Sequence, residues 1–365
     1  MKDYTLKYGK GNVTFALDEA HVTELYGTPV PKIDDIRAAL YATLSSPVSH
    51  EPLESWVNPE DKVALIVSDM SRFWMRQDLV VPHIISYLTD KCDVNQNNIT
   101  IIIANGTHPG GDENELRTLV TDGVYDRIRV VNHDCQAKDL VYIGTTSLGT
   151  EARINPIAAN ADKVIMLGAC TYHVMAGYGG GRKSILPGIS GLETIRQNHL
   201  HSLDLLAPRS NPLIGNGVTD GNPLNEDMCQ AAAMVKNLFG INLVTNADMQ
   251  LAHIISGDPM KAWQLACHRV DEIYRVPIVK KADVIITSCG GYPKDMSLYQ
   301  GTKIIDNVES GLNAGGTLIV LMEAVEGGGP AQYFDWLKPL KEGRLYEELK
   351  AGFTIPLSLI HISEP

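Results

Sequence analysis

The 365-residue sequence lacks most features that mark exported, membrane or nucleic-acid-binding proteins. Its six cysteines stand far apart with no CxxC pair, so neither a zinc ribbon nor a disulfide framework is indicated. No apolar run approaches the roughly 18 residues of a membrane helix, and the N-terminus lacks the apolar core of a signal peptide. Lysine and arginine number 31 against 43 acidic residues, which argues against a duplex nucleic-acid partner. These absences favour a cytoplasmic protein that acts on small molecules.

What the sequence does contain is an alternation of strand and helix patterns. Short apolar runs rich in β-branched residues predict buried strands at 62–69, 99–106, 128–132 and 163–168. Helical segments fall between or after them, at 78–90, 112–122, 191–203, 225–240 and 258–276. This alternation predicts an α/β fold with a mostly parallel sheet, whose ligands lie at the carboxyl ends of the strands.

A second α/β pattern begins near residue 276, with strands predicted at 282–291 and 317–324 around a helix at 296–312. We therefore expect a cofactor-binding and catalytic domain over 1–275, an incomplete second domain over 276–354, and the active site in the crevice between them. The final residues, 355–365, resemble translated adapter sequence, which predicts a non-native tail.

A glycine-rich loop, "HVMAGYGGGRKSILPG", follows the strand at 163–168. It does not fit the P-loop pattern of nucleotide hydrolases, because Arg182 stands where a glycine must precede the lysine. No GxGxxG follows a first strand either, which argues against a nicotinamide-dependent dehydrogenase. The backbone amides of Gly179, Gly180 and Gly181 can still form an anion nest, which predicts a site for a nucleotide phosphate.

Three histidines and a lysine lie in or beside the segments expected at the ligand-binding edge of the sheet. They are His108, His173, His199 and Lys183. For each histidine taken alone, a turn cap, a backbone hydrogen bond or a helix face is the favoured explanation. Together they favour a site, because imidazole serves as a base near neutral pH or as a nickel or zinc ligand.

The successive motifs "DMSR", "ANGTH", "NHD", "ADKVIMLGACTYHVMAGYGGGRKSILPGISGLETIRQNH" and "YPKDMSLYQGTK" resemble those of the lactate racemase family, whose members use a nickel-pincer nucleotide. The resemblance runs in order from about residue 60 to residue 350. It implies a racemase or epimerase of a 2-hydroxy acid that works by reversible hydride transfer through a 2-keto acid. It further implies that Lys183 bonds covalently to the pyridinium ring of the cofactor through a thioamide, and that His199 is the nickel ligand.

The same resemblance implies roles for other residues. His108 and His173 match the two bases, one for each face of the substrate, and Arg72 matches the residue that binds the substrate carboxylate. Three residues match the substrate contacts from the second domain: Tyr299, Gln300 and Lys303. Asp69 and Ser71 are expected to help hold the nucleotide, although a turn or a helix cap explains them equally well. The implied partners are a small 2-hydroxy acid and the enzymes that make the cofactor.

Two alternatives stay open at this point. Phe73 and Trp74 stand where the lactate enzyme typically has proline, so a larger 2-hydroxy acid or an aldonate is as good a candidate substrate as lactate. A non-catalytic module that binds a nucleotide or a phosphate would keep the glycine loop and Lys183, but it has no need for paired histidines. Nickel analysis of the purified protein separates the enzyme from the binding module.

Overall fold

The structure, a computed structural model, describes residues 1–292, 294–301, 303–329, 338–339 and 341–352. The tail expected to be non-native, residues 355–365, lies outside the described residues. No helix within the described ranges is long and apolar enough to cross a membrane.

Contacts divide the chain into two compact units. The larger unit comprises Thr28–Asp204 and Asn211–Arg275, and the smaller one comprises Met1–Gly27, Leu205–Ser210 and the chain from Val276 onward. The first domain was expected to span residues 1–275, but Met1–Gly27 groups with the later part of the chain. The physical reason is a set of hydrogen bonds within the smaller unit. The Gly9 amide donates to Asp295 Oδ2 at 2.7 Å, and the Ser288 hydroxyl donates to the Lys7 carbonyl.

The larger unit is built on a six-stranded sheet with the order β12-β11-β8-β3-β4-β5. Its strands are β3 Val63–Ser68, β4 Ile99–Ala104, β5 Arg129–Asn132, β8 Lys163–Ala169, β11 Leu238–Thr245 and β12 Leu251–Gly257. Five strands are parallel and β12 is antiparallel to β11. Two short hairpins complete the strands of this unit: β6 Val141–Thr145 with β7 Glu151–Ile154, and β9 Tyr172–His173 with β10 Gly177–Tyr178. The α/β fold class and the mostly parallel sheet are confirmed.

Nine helices of the larger unit surround this sheet in the described ranges. They are α1 Ile36–Ser45, α2 Leu53–Trp56, α3 Val81–Asp90, α4 Glu113–Val120, α5 Asp122–Tyr125, α6 Pro156–Ala159, α7 Leu192–Leu200, α8 Pro223–Ala233 and α9 Pro259–Tyr274. The longest, α9, begins as the sequence predicts: the Asp258 side chain accepts from the backbone amides of Met260 and Lys261, and proline follows the cap. The described part of the smaller unit contains β1 Lys2–Tyr8, β2 Gly11–Leu17, β13 Ala282–Ser288, β14 Leu312–Leu321, α10 Leu298–Gly301, α11 Lys303–Val308 and α12 Leu345–Gly352.

The central strands read as continuous apolar runs because both faces of the sheet are covered. Leu65 and Val67 of β3 belong to one hydrophobic cluster with the residues of α1 and α3, whereas Ala64 and Ile66 belong to another. All four of these side chains are fully buried. This two-sided burial distinguishes a parallel α/β sheet from a half-exposed antiparallel one.

One part of the predicted element order is wrong. The helix expected over 225–240 ends at Ala233, and "LFGINLVT" then forms β11, which lies parallel to β8. The fully buried β11 and its antiparallel neighbour β12 were not predicted at all. The helix pattern ends in apolar residues that continue into β11, so the change from the 3.6-residue period of a helix to the two-residue period of a strand could not be recognised. A short buried strand and a buried helical segment give the same run of apolar residues.

Candidate functional site

The first cluster of polar side chains lies where β3 and β4 end. Asp69 directly follows β3, and His108 lies in the turn after β4, so the parallel register of the two strands brings them to the same edge of the sheet. Nδ1 of His108 and Oδ2 of Asp69 are 2.5 Å apart, and the Asp69 side chain is mostly buried. Because a carboxylate accepts, Nδ1 donates, and the acceptor lone pair of the neutral ring lies on Nε2.

Ser71 and Arg72 extend this cluster. The Ser71 hydroxyl donates to Asp69 Oδ1 at 2.6 Å, and Arg72 Nη1 donates to Ser71 Oγ at 2.5 Å. Burial raises the pKa of Asp69, but the hydrogen bond and charge of His108, the charge of Arg72 and the Ser71 hydroxyl lower it below its usual value overall. No described carboxylate lies within ion-pair distance of Arg72. The guanidinium is therefore available to an anionic ligand.

The second cluster is formed by His173 and Lys183, at the carboxyl end of β8. Nδ1 of His173 accepts from the backbone amides of Met175 at 3.2 Å and of Ala176 at 3.1 Å. Nε2 of the same ring is 3.1 Å from Nζ of Lys183. Burial, then the charge of Arg182 and then that of Arg72, lower the pKa of Lys183 well below its usual value. Arg72 is therefore close to both clusters.

His199 lies in the last turn of α7 and is almost fully buried. Its Nδ1 is 2.9 Å from the carbonyl of Ile195, so Nδ1 donates and the lone pair lies on Nε2. Burial is the main reason that the pKa of His199 is lowered to about 3. A neutral imidazole whose second nitrogen donates to a backbone carbonyl is the arrangement that metal-binding histidines have.

The glycine loop fits closely against the protein. A Cβ on Gly179 would meet the Ala169 carbonyl oxygen at 2.9 Å, and one on Gly181, where φ is +50°, would meet the Trp263 ring at 2.8 Å. The Gly179 amide donates to Thr171 O at 2.8 Å and the Gly181 amide donates to Asn242 Oδ1 at 3.0 Å. Packing alone thus explains two of the glycines, and two of the three amides expected in a phosphate nest already have protein acceptors. The phosphate nest stays a prediction.

The Arg182 side chain holds the backbone of this loop through hydrogen bonds. Its guanidinium is fully buried and donates to the Asn225 side chain and to four backbone carbonyls. The four carbonyls belong to Ala176, Tyr178, Gly179 and Gly180. Its centre also lies 3.8 Å from the centroid of the Trp263 ring. The residue that breaks the P-loop pattern therefore holds the backbone in shape instead of binding a phosphate directly.

Two residues of α9 that support the loop, Trp263 and Asp271, were not singled out by the sequence. Trp263 Nε1 donates to the Gly179 carbonyl at 2.9 Å. Asp271 Oδ1 accepts from both the Tyr172 and the Tyr178 hydroxyls, at 2.7 Å and 2.6 Å. Trp263 and Asp271 are two turns apart on α9, and only the helix pattern of that segment could have suggested that they share a face.

The predicted contacts from the second domain belong to the smaller unit. Tyr299 is buried and Gln300 is exposed, both on α10, whereas the side chain of Lys303 lies outside the described residues. Their roles stay predictions, as does a crevice between the domains.

Phe73 and Trp74 are the residues that made a larger 2-hydroxy acid or an aldonate a candidate substrate. Both rings are partly buried and pack against the large hydrophobic cluster of the sheet. Arg76, which follows closely, pairs with Asp78 at 2.8 Å. Packing against the core accounts for part of each ring, and an effect of these residues on substrate size stays a prediction.

No group of three or more His, Cys, Asp or Glu side chains that could hold a metal ion occurs in the described part of the chain. All six cysteines lie in that part and are unpaired.

Comparison with known proteins finds lactate racemases. The sequence model of the lactate racemase N-terminal domain matches residues 8–209, and that of the lactate racemase C-terminal domain matches residues 278–351. The lactate racemase of Thermoanaerobacterium thermosaccharolyticum is 29% identical over 94% of this chain and 79% of its own length. The lactate racemase of Lactiplantibacillus plantarum is 28% identical over 90% of this chain and 76% of its own length.

Solved structures give the same result. The lactate racemase apoprotein from Thermoanaerobacterium thermosaccharolyticum superposes with a TM-score of 0.83 at 28% identity, covering 92% of this chain and 78% of that one. A protein from Thermotoga maritima superposes with a TM-score of 0.60 at 16% identity, over 90% of this chain and 82% of that one, which shows the shared fold.

An α/β protein with a histidine, arginine and lysine site at the carboxyl edge of its sheet, and with racemases as relatives, is an isomerase by class. The chain belongs to the lactate racemase family.

Proposed function

We propose that this chain is a racemase or epimerase that inverts C2 of a 2-hydroxy acid by reversible hydride transfer through a 2-keto acid. Lactate, a larger 2-hydroxy acid and an aldonate are the candidate substrates. One observation carries the proposal: Arg72 is close to both histidine clusters, His108 with Asp69 and His173 with Lys183. Such a site can bind a carboxylate and move the proton of a neighbouring hydroxyl.

The residues present fit the cofactor that the family resemblance implies. Lys183 would attach the nickel-pincer nucleotide covalently through a thioamide, and the Nε2 lone pair of the neutral His199 would ligate nickel. Two observations support this assignment: the lowered pKa of the Lys183 amine and the Nδ1–H of His199 fixed on the Ile195 carbonyl. When bound, this cofactor would accept hydride from the substrate C2 and return it.

His108 is placed to receive the hydroxyl proton. Its Nδ1–H is held by Asp69, so Nε2 is the basic nitrogen. Asp69 stabilises the imidazolium that forms, because a buried carboxylate beside the ring favours its charged state. The proton can then return from the same nitrogen.

His173 is the second proposed base, and the hydrogen bonds of its ring differ from those of His108. Proton acceptance at Nε2 requires the ring proton on Nδ1, where the amides of Met175 and Ala176 already donate. The ring must therefore move away from these two amides before it can act as a base. The two histidines are chemically unequal in this structure.

Arg72 supplies the cation for the substrate carboxylate, and its planar fork suits a bidentate pair. Tyr299, Gln300 and Lys303 remain the proposed contacts from the second domain. Asp69 and Ser71, first expected to hold the nucleotide, are proposed to position His108 and Arg72 instead. The proposed setting is the cytoplasm, with cofactor maturation enzymes as partners.

The intact mass of the protein, co-produced with nickel and the maturation enzymes, tests the proposal, with Lys183→Ala as the matched control. We expect a mass increase on the parent alone, followed by racemisation of one of the candidate acids in chiral chromatography. A folded parent with no added mass would contradict the proposal and favour a nucleotide-binding module. An adduct without inversion of any 2-hydroxy acid would contradict the proposed reaction alone.

A further inference from the structure

The hydrogen bonds of the His173 ring define its tautomer. A backbone N–H can only donate, so the two amides at 3.1 Å and 3.2 Å require a lone pair on Nδ1. The proton of the neutral ring is therefore on Nε2. That N–H faces Nζ of Lys183, at 3.1 Å.

This geometry restricts the state of the lysine. An ammonium group has three donors and no lone pair, so it would oppose the Nε2–H of His173 with a second donor. A neutral amine has the lone pair that the N–H needs. The charges of Arg182 and Arg72 both act against an ammonium at this position. No described carboxylate lies within ion-pair distance of Lys183 to stabilise an ammonium.

We propose that Lys183 rests as a neutral amine that accepts a hydrogen bond from the Nε2–H of His173, so that His173 prepares the attachment lysine before any cofactor is present. The purpose assigned to this amine rests on the proposed function, but its protonation state does not. The lowered pKa of Lys183 agrees with the geometry. Lys183 is mostly buried but retains some exposed surface, through which a small reagent can reach it.

The protonation state is measurable on the apoprotein by competitive acetylation with N-hydroxysuccinimidyl acetate between pH 6 and pH 11. The neutral amine attacks the acyl carbon, N-hydroxysuccinimide leaves, and the amine proton passes to water. Peptide mass spectrometry gives the rate at Lys183 and at Lys236, an exposed lysine of the same unit. Dividing each rate at pH 7 by the plateau rate of the same lysine at high pH removes the effect of accessibility.

We expect this ratio to be at least about 10-fold larger for Lys183 than for Lys236, since an ordinary lysine titrates near pH 10.4. Equal ratios would overturn the proposal. His173→Gln retains an N–H near the position of Nε2 and should keep the high ratio, whereas His173→Leu should lower it several-fold. His268→Gln replaces an exposed histidine of the same unit, and should leave the ratio unchanged.

The result is separable from the test of function. If His173→Leu does not fold, the parent profile and His173→Gln still decide between the neutral amine and the ammonium. A reactive Lys183 that gains no cofactor mass in co-production would contradict the proposed function and leave this inference standing. An unreactive Lys183 that does gain the cofactor would contradict this inference alone.

Discussion

Asp69 shows how a single carboxylate sets the chemistry of a neighbouring base. Its pKa is lowered overall, although it is mostly buried, because His108, Arg72 and Ser71 all favour the ionised form. It therefore stays charged at neutral pH and keeps the proton of His108 on Nδ1. The sequence placed Asp69 at the right edge of the sheet but gave no sign of this partner, because hydrogen bonds between residues 39 positions apart depend on strand register.

Replacing Asp69 tests this role. In Asp69→Asn the negative charge that stabilises the His108 imidazolium is lost, so kcat/KM of the cofactor-loaded enzyme should fall by about 100-fold or more. Racemisation rates against pH, followed by chiral chromatography, measure the loss. Asp78→Asn is the control, since it neutralises a carboxylate nearby in the sequence that pairs with Arg76 and leaves the contact between Asp69 and His108. An equal loss in both variants would contradict a specific role for Asp69.

Arg72 permits a prediction about binding. Arg72→Lys keeps the charge but removes the planar fork, so KM for the 2-hydroxy acid should rise about 10-fold or more, with a smaller change in kcat. Steady-state kinetics measure both constants. Arg76→Lys is a matched control, because Arg76 lies four residues away in an exposed pair with Asp78. A change confined to kcat would argue against a contact with the substrate carboxylate.

At the scale of elements, α9 holds the hairpin of β9 and β10 in place. Tyr172 and Tyr178 are paired across this hairpin, and both hydroxyls donate to Asp271 on α9. His173 directly follows Tyr172, and the three consecutive glycines of the loop, Gly179 to Gly181, directly follow Tyr178. Burial, and then the hydrogen bond to Asp271, raise the pKa of both tyrosines, so both stay protonated donors at neutral pH.

Asp271→Ala should therefore weaken both the fold and the site. Two hydrogen bonds to a charged acceptor are lost, which lowers the free energy of unfolding by about 2–4 kcal/mol. Urea denaturation of the apoprotein measures this loss, and intact mass measures how much cofactor Lys183 carries. Arg275→Ala, which removes an exposed partner 3.9 Å from the same carboxylate, should change neither quantity greatly. A stable Asp271→Ala protein with full loading would refute the role of α9.

How far the sequence predicts the fold depends on the element. The runs at 62–69 and 99–106 correspond to β3 and β4, because short β-branched apolar runs separated from the neighbouring helix patterns are typical of strands buried on both faces. The run that forms β11 was assigned to the preceding helix, because an apolar run alone does not distinguish the two states. Site residues were proposed from motifs, whereas the contacts of Asp271 and Arg182 join distant elements and required the structure.

At the scale of the whole molecule, buried neutral histidines make the fold sensitive to acid. His133 is 3% exposed, and its Nε2 lies 2.9 Å from the Ser190 carbonyl, to which it donates. Burial lowers its pKa more than the Ser190 carbonyl raises it. The unfolded chain therefore takes up a proton below about pH 6.5 that the folded protein does not bind.

Stability should accordingly fall as the pH drops below about 6.5, by up to about 1.4 kcal/mol per pH unit for each such histidine. The His133→Gln protein lacks the side chain that takes up a proton on unfolding. The free energy of unfolding of this variant should therefore be lower than that of the parent at pH 7.5, but it should fall less steeply towards pH 5. Urea denaturation of the apoprotein at pH 7.5, 6 and 5 gives both slopes. The exposed His268, replaced by Gln, should leave the slope of the parent unchanged. Parallel pH profiles for the parent and His133→Gln would mean that His133 binds its proton equally in the folded and unfolded states.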